Sequence, residues 1–186
     1  MEQHKTSGSN ASSSQKTLLK IRLTLLFFIV ALALSGLTAF PLRWELELLT
    51  TWFGEGTTLG TLIPGLGRWV ERVHEGLEFN AKHYPFMSYG TDWLAFAHIV
   101  IAIAFWGPFR DPVRNIWVIE FGMICCILVF PLAFICGSVR QIPLGWQLID
   151  CSFGFLGIIP LILIHRWTRN LEREKQKEFP PDLEQT

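Results

Sequence analysis

Four long apolar runs, at 23–40, 93–109, 116–136 and 142–164, constrain this chain more than any other feature. Each is close to the ~20 residues that a helix needs to cross about 30 Å of hydrocarbon. Lipid offers the backbone no hydrogen-bond partner, so a spanning segment must satisfy its own N–H and C=O groups, and an α-helix does so within one segment. The expected fold is therefore all-α, a polytopic membrane four-helix bundle. Half of the 186 residues are hydrophobic, which leaves room for only modest loops around such a bundle.

Charge distribution gives the direction of threading. Lys5, Lys16, Lys20 and Arg22 precede the first run, and Arg110 and Arg114 lie between the second and third. Arg166, Arg169, Arg173, Lys175 and Lys177 follow the fourth. If the runs alternate direction, these eleven of the 16 basic residues share one side. The other side receives Arg43, Arg68, Arg72, Lys82 and Arg140 among several glutamates. The positive-inside rule then predicts a multi-pass protein of the inner (plasma) membrane with both termini cytoplasmic. Run one, with its long polar leader, reads as an uncleaved signal anchor rather than a cleaved signal peptide. The partners this implies are the lipid bilayer and a membrane-protein partner or a second copy, with no nucleic acid.

Three regions follow. Residues 1–17 are rich in Ser, Lys, Gln and Asn and carry little apolar surface, so they are expected to form a disordered cytoplasmic tail. Residues 18–168 form the membrane domain, and 169–186 a charged cytoplasmic tail that continues the fourth helix until Pro180 and Pro181 end it. Within the membrane domain, residues 41–90 make an extracytoplasmic loop too long for a simple connection. Leu66, Trp69, Val70, Val73 and Leu77 recur there at helical spacing, predicting an amphipathic helix over 66–82. That helix suits the membrane interface, a lid over the bundle, or a docking face. The remaining two connections are short, so runs two, three and four are expected to pack as antiparallel neighbours.

Ionisable groups inside spans are costly, which makes Asp92, His98, Glu120 and Asp150 the candidate functional residues, with Arg140 at the boundary. At 1.5 Å rise per residue, His98 and Asp150 fall at a similar depth, while Glu120 belongs to the cytoplasmic half. Asp150, Gly154 and Gly157 share one face of the fourth helix, and Ala95 and Ala102 flank His98 on the second. Small faces permit close helix packing. The expectation is that spans two and four meet with His98 and Asp150 in the contact. Such a pair could act as a base and its orienter, as a proton relay, or simply as a polar pin for helix register. Asp92 suits a helix N-terminus or an ion pair with Arg140. Glu120 and Arg140 also suit a polar pocket or ion pair.

Several chemistries are not expected. His98 has no second histidine at matching depth to hold a b-type haem, and no cofactor or metal site is indicated. Cys125, Cys126, Cys136 and Cys151 all lie within spans and contain no Cys-x-x-Cys, so a disulfide framework is not indicated either. No zinc-protease, nucleophile-elbow or phosphate-loop motif occurs.

The stretches Tyr89-Gly90-Thr91-Asp92-Trp93-Leu94-Ala95-Phe96-Ala97-His98, Arg110-Asp111-Pro112-Val113-Arg114-Asn115 and Leu148-Ile149-Asp150-Cys151-Ser152-Phe153-Gly154 resemble a group of small bacterial membrane proteins. That resemblance covers roughly 34–166 and implies a four-span bacterial inner-membrane protein without implying an activity. The order Asp92, His98, Glu120, Asp150, Gly154, Gly157 also resembles the VanZ-like family, another four-span group. Here five residues separate Asp92 from His98 where that family has three, and the Asn expected after the last Asp is missing. No function is carried over from it. The leading expectation is a binding, sensing or assembly component with an outward-facing polar pocket. The alternatives are an intramembrane enzyme on a lipid-linked or envelope substrate using His98 and Asp150, or a small proton-coupled carrier.

Overall fold

The computed structural model describes residues 3–54 and 56–178, with side chains left undescribed at 3–13, 175, 177 and 178. All regular structure among the described residues is helical: α1 (Gln3–Thr38), α2 (Leu42–Phe53), α3 (Thr58–Leu62), α4 (Pro64–His83), α5 (Tyr89–Ala104), α6 (Trp106–Arg110), α7 (Ile116–Val139) and α8 (Leu144–Glu178). A single 3-10 turn, Pro85–Ser88, leads into α5. Four segments are long and apolar enough to cross a membrane: Ser14–Thr38, Pro85–Arg110, Ile116–Val139 and Leu144–Glu174. The chain is an all-α, multi-pass membrane protein.

Helix α1 is described from Gln3 onward, so part of it falls within the stretch expected to lack structure. Once a turn is nucleated, each further residue adds a backbone hydrogen bond at little extra cost, so a long apolar helix extends readily into a polar leader. The Ser14 hydroxyl also donates to the Glu174 carboxylate of α8 at 2.9 Å. The expected stop at Pro180–Pro181 lies outside the described residues.

Two compact units divide the chain, and each span contributes to both. The first, here the terminal unit, holds Met1–Val30, Ile103–Phe130 and Ser152–Thr186. Its core is apolar and built from periodic stripes. Ile21 and Leu25 of α1 are fully buried, as are Leu161, Ile164 and Thr168 of α8, and Leu171 nearly so. Between α5 and α6 the helix is interrupted at Phe105, because Pro108 has no N–H to bond the Ala104 carbonyl. Phe105 itself turns inward at 1% exposure and packs against Phe28, ring centroids 4.8 Å apart. A Cβ at Gly122 of α7 would sit 2.6 Å from the Phe105 ring and 3.0 Å from Leu161, so this glycine admits both neighbours. Gly154 of α8 brings that helix onto α7, where a Cβ would lie 2.6 Å from the Cys126 carbonyl oxygen. Gly157 continues the contact, 3.1 Å from the Cys126 sulfur.

The second, the loop unit, holds Ala31–Ala102 and Pro131–Cys151. Here α2, α3 and α4 pack on one another, so the stripe expected on the loop helix is spent on its own neighbours. Leu46 of α2 and Val70 of α4 are buried at 5% and 2% exposure. The turn joining them is held by Thr57, whose hydroxyl accepts the Gly60 N–H at 3.0 Å and caps α3. Gly60 and Gly67 stand against the backbone at Phe53, which a side chain there would block.

The connection from α7 to α8 closes with a left-handed residue. Gln141 has φ +57°, its N–H donates to the Ser138 carbonyl at 3.1 Å, and the Ile142 N–H donates to the Gly137 carbonyl at 2.9 Å. That pattern is a Schellman cap with a side chain where glycine is favoured. Gln147, only 4% exposed, then lies over Gly137 and donates from Nε2 to the Ile142 carbonyl at 2.7 Å.

Two substitutions test this packing by thermal unfolding in detergent. Gly154→Val is expected to cost about 1–3 kcal/mol, since the atom it meets is backbone and has no rotamer to move. Gln141→Gly is expected to gain about 0.5–1 kcal/mol, the left-handed strain relieved less the entropy of glycine.

Candidate functional site

His98 and Asp150 both belong to the loop unit, yet no hydrogen bond or ion pair joins them among the described residues. The His98 ring bonds from Nδ1 to the Leu94 carbonyl of its own helix at 2.8 Å. Its Cβ sits over Gly36 of α1, where an added Cβ would come within 2.6 Å. Span two therefore packs on span one at His98. Span four makes a close backbone approach to span three at Gly154 and Gly157. Depth fixes a residue's level, whereas its partner depends on which helices are neighbours.

Asp92 stands in the first turn of α5 and is exposed. A carboxylate there complements the positive end of the helix dipole. Arg140 is exposed beyond the end of α7, and neither residue enters an ion pair among the described residues. Asp150 is half-buried, with Cys151 beside it buried. Cys125, Cys126, Cys136 and Cys151 are free thiols.

The terminal unit instead assembles a polar cluster on Glu120, whose partners sequence reasoning missed. The Glu120 Oε1 of α7 accepts from His165 Nε2 at 3.1 Å and from Arg169 Nη2 at 3.3 Å. The other Arg169 nitrogen, Nη1, donates to Glu172 Oε2 at 3.1 Å. His165, Arg169 and Glu172 follow i, i+4, i+7 on α8, so one face of the helix offers all three to α7. That spacing was the available signal. His165 marks the end of the fourth apolar run, and Glu120 lies one turn inside the third, which places them at one level. Side-chain exposure of 41% for Glu120 and 45% for Arg169 sets this network apart from a buried reaction centre. Pairs of that exposure contribute modestly, about 0.2–1 kcal/mol.

A further site lies in the loop unit. An open groove of about 750 Å³ runs along α4, lined by Arg68, Trp69, Glu71, Arg72 and Glu75, with Gly65 at one end and Pro143 from the head of α8. Arginines and glutamates alternate along the wall. The Trp69 indole N–H is buried and has no hydrogen-bond partner among the described residues. No cluster of three His, Cys, Asp or Glu side chains able to hold a metal ion occurs among the described residues.

No protein-family model matches the chain, and no curated protein or solved structure is significantly similar to it. The functional reading rests on this chain's own geometry.

Double-mutant cycles separate the two constellations. The Glu120→Ala and Arg169→Ala cycle is expected to show a coupling of about 0.5–1 kcal/mol in thermal unfolding. His98→Ala and Asp150→Asn are expected to add within about 0.5 kcal/mol, as independent sites do.

Proposed function

We propose that this chain is a multi-pass inner-membrane protein with both termini in the cytoplasm, acting as a binding component through its extracytoplasmic α2–α4 cap. The observation that carries this reading is the groove on α4, formed by Arg68, Glu71, Arg72 and Glu75 with Trp69 and Pro143. Alternating charge of both signs favours a protein or peptide surface of mixed charge over a uniform polyanion or an apolar ligand. Trp69 supplies the large rigid aromatic that such interfaces use as an anchor. Anchoring that surface beside a bilayer confines the encounter with a membrane-bound partner to two dimensions, which suits assembly or sensing.

An intramembrane enzyme built on His98 and Asp150 has less support. The imidazole Nδ1 is committed to the Leu94 carbonyl, and no orienting carboxylate reaches the ring among the described residues. General-base work needs that geometry first.

The test has two parts. In a cysteine-free background, Glu75→Cys is expected to react with an impermeant maleimide added outside intact cells. A photo-crosslinking side chain at Gly65 is expected to give a discrete adduct that Arg68→Glu with Arg72→Glu reduces at least tenfold, about 1.4 kcal/mol. Labelling only after the cells are opened removes the extracytoplasmic assignment. Adducts indifferent to both charge reversals remove the groove as the binding surface.

A further inference from the structure

A second recess, of about 260 Å³, lies wholly within the terminal unit. Its apolar walls include Leu18 of α1, Pro112 and Val113 of the α6–α7 turn, and Leu171 of α8, with Arg110 and Asp111 among its polar lining. We propose that this recess binds an anionic glycerophospholipid, with the headgroup phosphate on Arg110, Arg22 beside it, and the glycerol end against the apolar wall.

Level is the first argument. Arg22 immediately precedes the first apolar run, and Arg110 immediately follows the second. The Arg22 guanidinium donates to the Arg110 carbonyl at 3.4 Å, which ties both residues to one depth at the end of the spans. Lipid phosphates occupy that depth, at the edge of the hydrocarbon.

Charge is the second. Arg110 lines the recess, and the Arg22 guanidinium is held beside it by the Arg110 carbonyl. Two carboxylates lie beside it, Asp111 in the lining and Glu174 at the lining Ser14. Asp111 Oδ1 accepts the Arg114 N–H at 3.1 Å, and the Glu174 carboxylate accepts the Ser14 hydroxyl at 2.9 Å. The Arg110 guanidinium has no hydrogen bond or ion pair among the described residues, so it faces a ligand without first breaking a contact. An unpaired guanidinium at that level favours an anionic headgroup over a zwitterionic one.

Order is the third. The turn carrying Arg110 is locked before any ligand arrives. Asn115 Nδ2 donates to the Gly107 carbonyl at 3.2 Å and to the Asp111 carbonyl at 2.9 Å. The Asn115 N–H bonds the Asp111 carbonyl as well, at 3.2 Å. A pre-ordered site loses little entropy on binding.

The experiment uses the full chain in nanodiscs of phosphatidylcholine with phosphatidylglycerol, transferred to mild detergent, with retained lipid counted by native mass spectrometry. Wild type is expected to keep phosphatidylglycerol in preference to phosphatidylcholine. Arg110→Gln is expected to cut that retention about fivefold, the effect of one basic residue at an anionic surface, and to leave phosphatidylcholine unchanged. Val113→Trp, which fills the recess without altering charge, is expected to lower phosphatidylglycerol retention too and carries the test should Arg110→Gln fold poorly. Arg43→Gln, in the loop unit, is expected to have no effect. Equal retention of the two lipids overturns the proposal, as does retention unaffected by both Arg110→Gln and Val113→Trp. Displacement of the lipid by soluble glycerol phosphate would identify a free phosphate ester as the occupant and overturn the lipid assignment.

Discussion

Close backbone approach at glycine is the constraint on which the packing of this chain depends. Between helices in a bilayer there is no hydrophobic gain, because lipid tails are as apolar as leucine. Attraction comes from dispersion between surfaces that fit, and fit requires somewhere for backbones to come near. Gly36 provides that place for α5 on α1, Gly122 for Phe105 and Leu161 on α7, and Gly154 for α8 on the Cys126 carbonyl. At Gly137 the same space admits the Gln147 side chain, whose amide then closes the α7–α8 connection. Large apolar side chains are left mostly on the lipid side, as the exposure of Phe27, Trp93, Ile127 and Phe155 shows.

Polar groups are then sorted by what they can find locally. Deep in the spans, His98 turns to the carbonyl one turn back on its own helix. Where the spans end, longer side chains reach between helices, and Glu120 draws in both His165 and Arg169. A carboxylate shared by an imidazole and a guanidinium needs little precision in either donor. That tolerance suits a boundary network joining two helices and suits proton abstraction poorly.

The spans and the loop helices are readable from sequence because one coordinate defines them. The run at 116–136 becomes α7, Ile116–Val139, and the stripe predicted over 66–82 becomes α4, Pro64–His83. Leu42–Phe53 is a second loop helix whose apolar face only the folded partner reveals. Neighbour choice is a different kind of information. Gly36 stands alone in a leucine-rich run, and nothing in its context distinguishes it from a propensity defect until His98 is seen above it. Gln147 is similar: a lone amide near the start of a span reads as surface until the turn it secures is drawn. His165, Arg169 and Glu172 were legible as a helical face, but their target on α7 required knowing that α7 and α8 are adjacent.

Electrostatics distinguishes the two recesses. The groove on α4 sets Arg68 and Arg72 against Glu71 and Glu75, so its field is short-ranged and selects by pattern. In the recess at Arg110 the guanidinium is the charged group without a partner among the described residues, while Asp111 is turned to the Arg114 N–H. Pattern recognition suits a folded partner, which presents a fixed arrangement of groups. Selection by sign suits a lipid headgroup, which offers little pattern and is present in large excess. Arg22 and Arg110, basic residues at the ends of their spans, are also tied by a hydrogen bond from the first to the carbonyl of the second. A topology signal needs only charge on the correct side of the membrane. Holding two such charges together at phosphate depth goes beyond that requirement, and it is this surplus of order that the lipid assignment explains.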